Sequence, residues 1–343
     1  MSNLQTNLKE NLENLISIQS PTGYHRDINV FLKSFFEGNE IPYTETVKGS
    51  FLVTFKGTND SDAILFSGHV DTLGAMVKKI KPSGSLEFTL LGGYMYNTLE
   101  SENCMVRTST GKKISGTVQT TMPSVHIDGN KARELKREQT TMEVILDERV
   151  SSKEDVLNLG IDIGDFIFID PKLKALDNGF IKSRYLDDKA SVSVLLEIMK
   201  NLKGKTLNNT IHFFISNYEE VGHGAKAAIP TNTKEFIAVD MGAPGNNQNS
   251  SEFKVNICVK DSSGPYDFDI KEKMIKICKD NDIPFAVDIY PHYGSDASAA
   301  LNAGYDIKSG LIGPGVFASH GYERTHMDSI VATYNLIYNY ILL

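Results

Sequence analysis

The sequence predicts an α/β protein: a mostly parallel sheet sandwiched by helices, interrupted by a small inserted β-barrel-like domain. Three observations predict it. Strand-like apolar runs alternate with helical stretches at both ends of the chain, the pattern of a largely parallel sheet. The run "TIHFFI" reads as a strand buried in that sheet, with "AILFSGH" and "EFIAVD" as companions. From about residue 73 to 170 the character changes to short strands separated by turn residues. The expected organisation is therefore one domain from 1–72 and 171–343, with 73–170 as a β-rich insert.

The elements follow in order. Residues 4 to 18 repeat leucine and isoleucine at helical spacing, and "PTGYHRDINVFLKSFFEG" reads as a turn entering a second helix. "ETVKGSFLVTFKG" and "DAILFSGHVD" read as strands. Within the insert, "AMVKKIKPSGSLEFTLLGG" reads as a hairpin around Pro82, Ser83 and Gly84, and "GKKISGTVQTT" and "GDFIFID" add strands. Beyond "SRYLDDK", "ASVSVLLEIMKNLKG" is a helix stopped by glycine, while "NTIHFFISNY" and "EFIAVDMG" are strands. "DIKEKMIKICKDNDI" is a further helix, and "SDASAALNAG" starts another.

Composition removes several function classes. With 41% apolar and 23% charged residues, the 343-residue chain has the make-up of a soluble globular protein. No apolar run approaches the ~20 residues a membrane span needs. The polar, amphipathic start "MSNLQTNLKENLENLI" lacks a signal-peptide pattern, so a cytoplasmic location is expected. Cys104, Cys258 and Cys278 are scattered, which argues against a disulfide framework or a cysteine metal site. A formal charge of -8 argues against nucleic acid as a partner.

The chemistry collects where strands end, which is where ligands bind in open α/β sheets. His69 and Asp71 close "AILFSGHVD", Glu219 and Glu220 follow "IHFFISNY", and Asp240 closes "EFIAVD". Asp187 and Asp188 stand before a helix, and "SHGYERTHMDS" carries His320 and His326. Each has an ordinary structural role open to it. Asp187 or Asp188 suits a helix N-cap, Asp240 a turn, and the glutamate pair a solvated loop. One metal site explains them together. A pair of divalent ions needs five or six nitrogen and oxygen donors, one of them bridging, and a set of histidine and carboxylate without cysteine suits zinc, cobalt or manganese.

The segments "SGHVDTLGAMVKKI" with "LLGGY", "YLDDKAS", "EEVG", "AVDMG", "GSDASA" and "RTHMDS", in that order, resemble the dinuclear metallo-aminopeptidases of the glutamyl and tetrahedral aminopeptidase family. The likeness runs from "SPTGYH" to "RTHMDS" and implies a zinc-peptidase-like core. It implies that Asp187 bridges two metal ions, with His69 and Asp240 completing one site and Glu220 and His326 the other. Glu219 would be the general base, and the Asp71 carboxylate would orient the His69 imidazole. The activity implied is removal of N-terminal residues from short peptides. A deacylase using the same metal pair and a catalytically dead scaffold are the alternatives. A glycosidase would need two carboxylates flanking a sugar bond and no metal. The resemblance also implies a homo-oligomer, from dimer to dodecamer, assembled through the insert. Asp296 is expected to line the pocket or cap a helix. His223 is expected on a surface loop, and His320 is left outside the ligand set.

Overall fold

The computed structural model describes residues 2–343, which form two compact units. One runs to Thr72 and resumes from Lys172 to Leu343; the other is Leu73–Pro171.

The first unit opens with α1 (Asn3–Ser17), capped by Ser2 Oγ accepting from Gln5 N while the Gln5 side chain accepts from Ser2 N. Its stripe of Leu8, Leu12, Leu15 and Ile16 is buried. After α2 (Arg26–Gly38) come β1 (Tyr43–Glu45), β2 (Phe51–Phe55) and β3 (Asn59–His69).

In the second unit, β4 (Gly74–Ile80), β5 (Leu86–Leu91), β6 (Asn103–Arg107), β7 (Lys113–Thr120), β8 (Met142–Leu146) and β9 (Phe166–Ile169) close a barrel in the order β4-β5-β8-β7-β6-β9. Closure removes the unpaired edges that six short strands would otherwise expose. Its core includes Val77, Phe88, Val106, Val118, Val144 and Ile167. The short helices α3 (Val125–Asp128), α4 (Asn130–Glu134) and α5 (Lys153–Asn158) lie in its connections.

The first unit then continues with β10 (Lys174–Ala175), β11 (Phe180–Ser183) and α6 (Leu186–Leu202), a helix buried over most of its length. After it come β12 (Asn209–Ser216), β13 (Thr233–Val239), β14 (Val255–Lys260), α7 (Phe268–Asp280), β15 (Phe285–Ile289), α8 (Asp296–Asn302), β16 (Lys308–Pro314), β17 (Glu323–His326) and α9 (Met327–Leu342). The eight-stranded sheet has the order β1-β2-β12-β3-β13-β16-β14-β15. Its centre, β12, β3, β13 and β16, is parallel as expected; antiparallel pairing enters where β2 meets β12 and β14 meets β16. Register brings His69 opposite Ser216, and Val239 opposite Ile312. The carboxyl ends of the central strands therefore share one edge of the sheet. A small antiparallel sheet, β10-β11-β17, adds an element absent from the sequence reading.

Candidate metal centre

His69 is the last residue of β3, and both ends of it are fixed. Its N–H donates to Asp188 Oδ2 at 3.0 Å. Its Nδ1 lies 2.9 Å from the Asp71 carbonyl, which can only accept, so Nδ1 carries the proton and Nε2 presents a lone pair. Nε2 faces Asp187 Oδ1 at 3.4 Å and Glu219 Oε2 at 3.7 Å. A Cβ on Gly68 would come 3.1 Å from both Asp188 Oδ2 and Leu195 Cδ1, so a glycine before His69 lets the start of α6 approach. Asp240 follows β13 and accepts from the Tyr293 hydroxyl on Oδ1 at 2.7 Å. Ligand atoms of His69, Asp187 and Asp240 all lie within 4.8 Å of one another, and all three residues are buried.

The glutamate pair reaches the same place from β12. Tyr218, at φ +68°, turns the chain into a single 3-10 turn, Glu219–Val221. Asp71 holds that turn: Oδ1 accepts from Glu219 N at 3.1 Å and Oδ2 from Glu220 N at 3.3 Å. Thr22 Oγ1 donates to Asp71 Oδ2 at 2.7 Å. Asp296 braces the far side, accepting from the Ser216 hydroxyl and, at 2.9 Å, from Ala225 N. Opposite stands His320, whose Nε2 is 3.6 Å from Glu220 Oε2 and 3.5 Å from Asp187 Oδ2. The two oxygens of Asp187 thus face two different imidazoles.

A family model described as M42 glutamyl aminopeptidase matches residues 49–336. The chain belongs to that family. This M42 aminopeptidase is 44% identical over 336 residues to the protein YhfE of Bacillus subtilis strain 168, covering 97% of this chain and 96% of that one. It is 26% identical over 237 residues to the glutamyl aminopeptidase of Lactococcus lactis subsp. cremoris, covering 68% and 66% of the two chains. The Pyrococcus horikoshii TET1 peptidase shares its fold, with a TM-score of 0.85 at 23% identity over 98% of this chain and 99% of that one. The protein is a hydrolase of peptide bonds.

Two expectations about this M42 aminopeptidase need correction. His326 does not join the cluster. It is the N-cap of α9: Nδ1 accepts from Asp328 N at 3.1 Å, and Nε2–H donates to Asn178 O at 2.9 Å. The rings of Phe180 and Phe253 pack on it at 4.9 Å each. With both nitrogens engaged, it has no lone pair for an ion; His320, six residues earlier, stands beside Asp187 and Glu220 instead. Asp71 also differs from expectation. Its carbonyl orients His69, while its carboxylate, with Oδ1 3.6 Å from His69 Nδ1, grips the glutamate turn. Strand alternation ends with β3 at His69, so a residue two further on need not share its face. His320→Ala is expected to lower kcat/KM by about 100-fold or more, beyond the usual effect of partners outside the donor set. His326→Ala is expected to keep activity within a few-fold and to cost about 1–2 kcal/mol of stability, the range for a lost cap. Parallel kinetics and thermal melts check both.

The cluster fits a divalent cation because it buries more negative charge than its imidazoles balance. Burial, reinforced by the Asp187 charge, pushes Glu220 up to about 8 and Asp240 up to about 7. Burial lifts Glu219 well above the usual carboxylate range, with Asp240, Asp296 and Glu220 adding to it against the pull of His69. Burial opposes ionisation of Asp187 as well, but His320 and His69 outweigh it and hold its carboxyl far below that range. A carboxyl raised on folding binds its proton more tightly in the native state. The stability it contributes is complete below the unfolded value near 4 and is lost as pH rises through the folded one. Chelator-treated protein is therefore expected to melt at progressively lower temperature from about pH 4 to about pH 8. Added divalent metal should flatten that slope. Scanning calorimetry across pH tests this, and a slope unchanged by metal would contradict it.

Proposed function

We propose that this M42 aminopeptidase holds two divalent ions per subunit (zinc, cobalt or manganese) and removes N-terminal residues from short peptides, with Glu219 as general base. The observation that carries the reading is the divided environment of Asp187, one oxygen toward His69 at 3.4 Å and the other toward His320 at 3.5 Å. His69, Asp187 and Asp240 would hold one ion, and Asp187, Glu220 and His320 the other. Ions so held supply Lewis acidity and a water made acidic enough to attack a carbonyl near neutral pH.

The remaining steps belong to the chain. Glu219 faces the same centre, its Oε2 3.7 Å from His69 Nε2 and its backbone pinned by Asp71, where a carboxylate can take a proton from the attacking water and return it to the departing amine. The surplus of carboxylates favours a substrate that brings a positive charge, as a free α-ammonium does. A deacylase would act on blocked amides instead. A panel of free and N-acylated aminoacyl substrates, with and without chelator, separates the two. Hydrolysis of free N-termini alone, lost with chelator and restored by metal, is the expected result; cleavage of the blocked series would overturn the aminopeptidase reading.

We further infer a homo-oligomer assembled through residues 73–170. Support comes from the Pyrococcus horikoshii relative, said to assemble into a tetrahedron or a large octahedral shell. Sedimentation of the full chain and of a barrel-surface variant tests this. A cytoplasmic location is part of the same proposal; among the described residues no helix is long and apolar enough to cross a membrane.

A further inference from the structure

We infer that Glu323 is the positioning residue for the half of the centre built from His320 and Glu220, an inference that rests on the two-ion reading above. Glu323 opens β17 and is 2% exposed. Its Oε2 accepts from Leu186 N at 2.7 Å and Asp187 N at 3.2 Å, and its Oε1 accepts from His320 N at 3.0 Å. One carboxylate thus fixes the backbone of two donors that come from distant parts of the chain.

The other donors are held by different groups. The His69 N–H is taken by Asp188, and the Glu219 and Glu220 N–H groups by Asp71. Asp240 N donates within the sheet, to Ile312 O, and its carboxylate is held by Tyr293. Glu323 therefore holds the shared donor Asp187 and the one donor, His320, that belongs to the second site alone, while His69 and Asp240 are held by Asp188 and Tyr293.

Chemistry explains why a carboxylate stands here. Three N–H groups converge on two oxygens, and only an acceptor at both ends satisfies them; an amide would turn its NH2 group toward at least one of these donors. The His320 backbone also needs holding. It sits at φ +66°, a left-handed conformation that residues with a Cβ seldom adopt. The hydrogen bond to Glu323 fixes the turn that aims His320 Nε2 at Asp187 and Glu220.

A merely structural Glu323 would tie β17 to the start of α6 and affect both ion sites alike. A positioning Glu323 affects chiefly the His320 site, because His320 belongs to that site alone whereas Asp187 is shared and also held from the other side. The test uses the full chain, stripped with chelator and titrated with Co2+ by calorimetry, as native protein, Glu323→Gln and Glu323→Asp. The native protein is expected to take up two ions. In Glu323→Gln one affinity should stay within about threefold of native while the other weakens about 10- to 100-fold, the range for lost outer partners of a metal site. Activity should return as Co2+ is raised. Glu323→Asp keeps the carboxyl group but falls one methylene short, and should weaken the same site by less; it serves as the test if the glutamine variant does not fold. Affinities that stay unchanged or fall together in a folded variant, with two ions on the native protein, overturn this inference alone. A native protein that takes up a single ion overturns the two-ion reading along with it.

Discussion

Glu219→Gln is expected to reduce kcat by about 10²–10⁴-fold, the usual worth of a positioned acid–base group, while metal uptake stays near native. Size and backbone contacts survive the change, because Asp71 binds the N–H of residue 219 and not its side chain. The ability to accept a proton is lost. Stability should not suffer. Burial first, then Asp240, Asp296 and Glu220, disfavour the charged form of Glu219 against the pull of His69, so a neutral amide suits the metal-free site at least as well. The metal-free variant should therefore melt no lower than its parent. Near-native turnover in a metal-loaded variant would mean that another group moves the proton.

Asp187→Asn should act the other way. Asp187 is the carboxyl that its neighbours keep ionised, with His320 and His69 overcoming burial. An amide in its place presents one oxygen and two donors, so at least one imidazole-facing side loses an anionic partner. Both ion affinities are expected to fall, and kcat/KM to drop at least 10³-fold at trace metal. Asp240→Asn, by contrast, should weaken one ion only, since Asp240 groups with His69 and Asp187. Metal analysis after dialysis, run on the three variants together, distinguishes a lost base from lost donors. A variant at Asp187 that keeps two tight ions would remove the bridging role.

The parts of this arrangement that were legible in the sequence are those governed by local pattern. Central strands such as β3, β12 and β13 are covered on both faces and read as apolar runs, so the polar residues that end them stand out. That made His69, Glu219, Glu220 and Asp240 visible, and the change of rhythm after residue 73 marked the barrel. What stayed hidden depends on pairing between distant segments. The register of β11 with β17 sets His326 opposite Phe180 and so commits it to the cap of α9. Strands of two to four residues give no periodic signal, and a histidine in "SHG" looks no more like a ligand than one in "RTH". Glu323 was missed for a related reason: its partners are backbone N–H groups, which every sequence has. A signal was present nonetheless, in an acidic residue three positions after His320 within a buried strand.

The same distinction explains Asp71. Spacing placed it near His69, but which of its groups faces the ring was decided by the end of β3 and by the glutamate turn that comes to meet it. Proximity was readable; orientation required the fold.

The proposed chemistry requires Asp187 to lie between two cation sites. The most direct test is a crystal structure of the zinc-loaded protein with anomalous scattering recorded on either side of the zinc edge. Two peaks per chain are expected, one among His69, Asp187 and Asp240 and one among Asp187, Glu220 and His320. A single peak, or a peak ligated by His326, would contradict it.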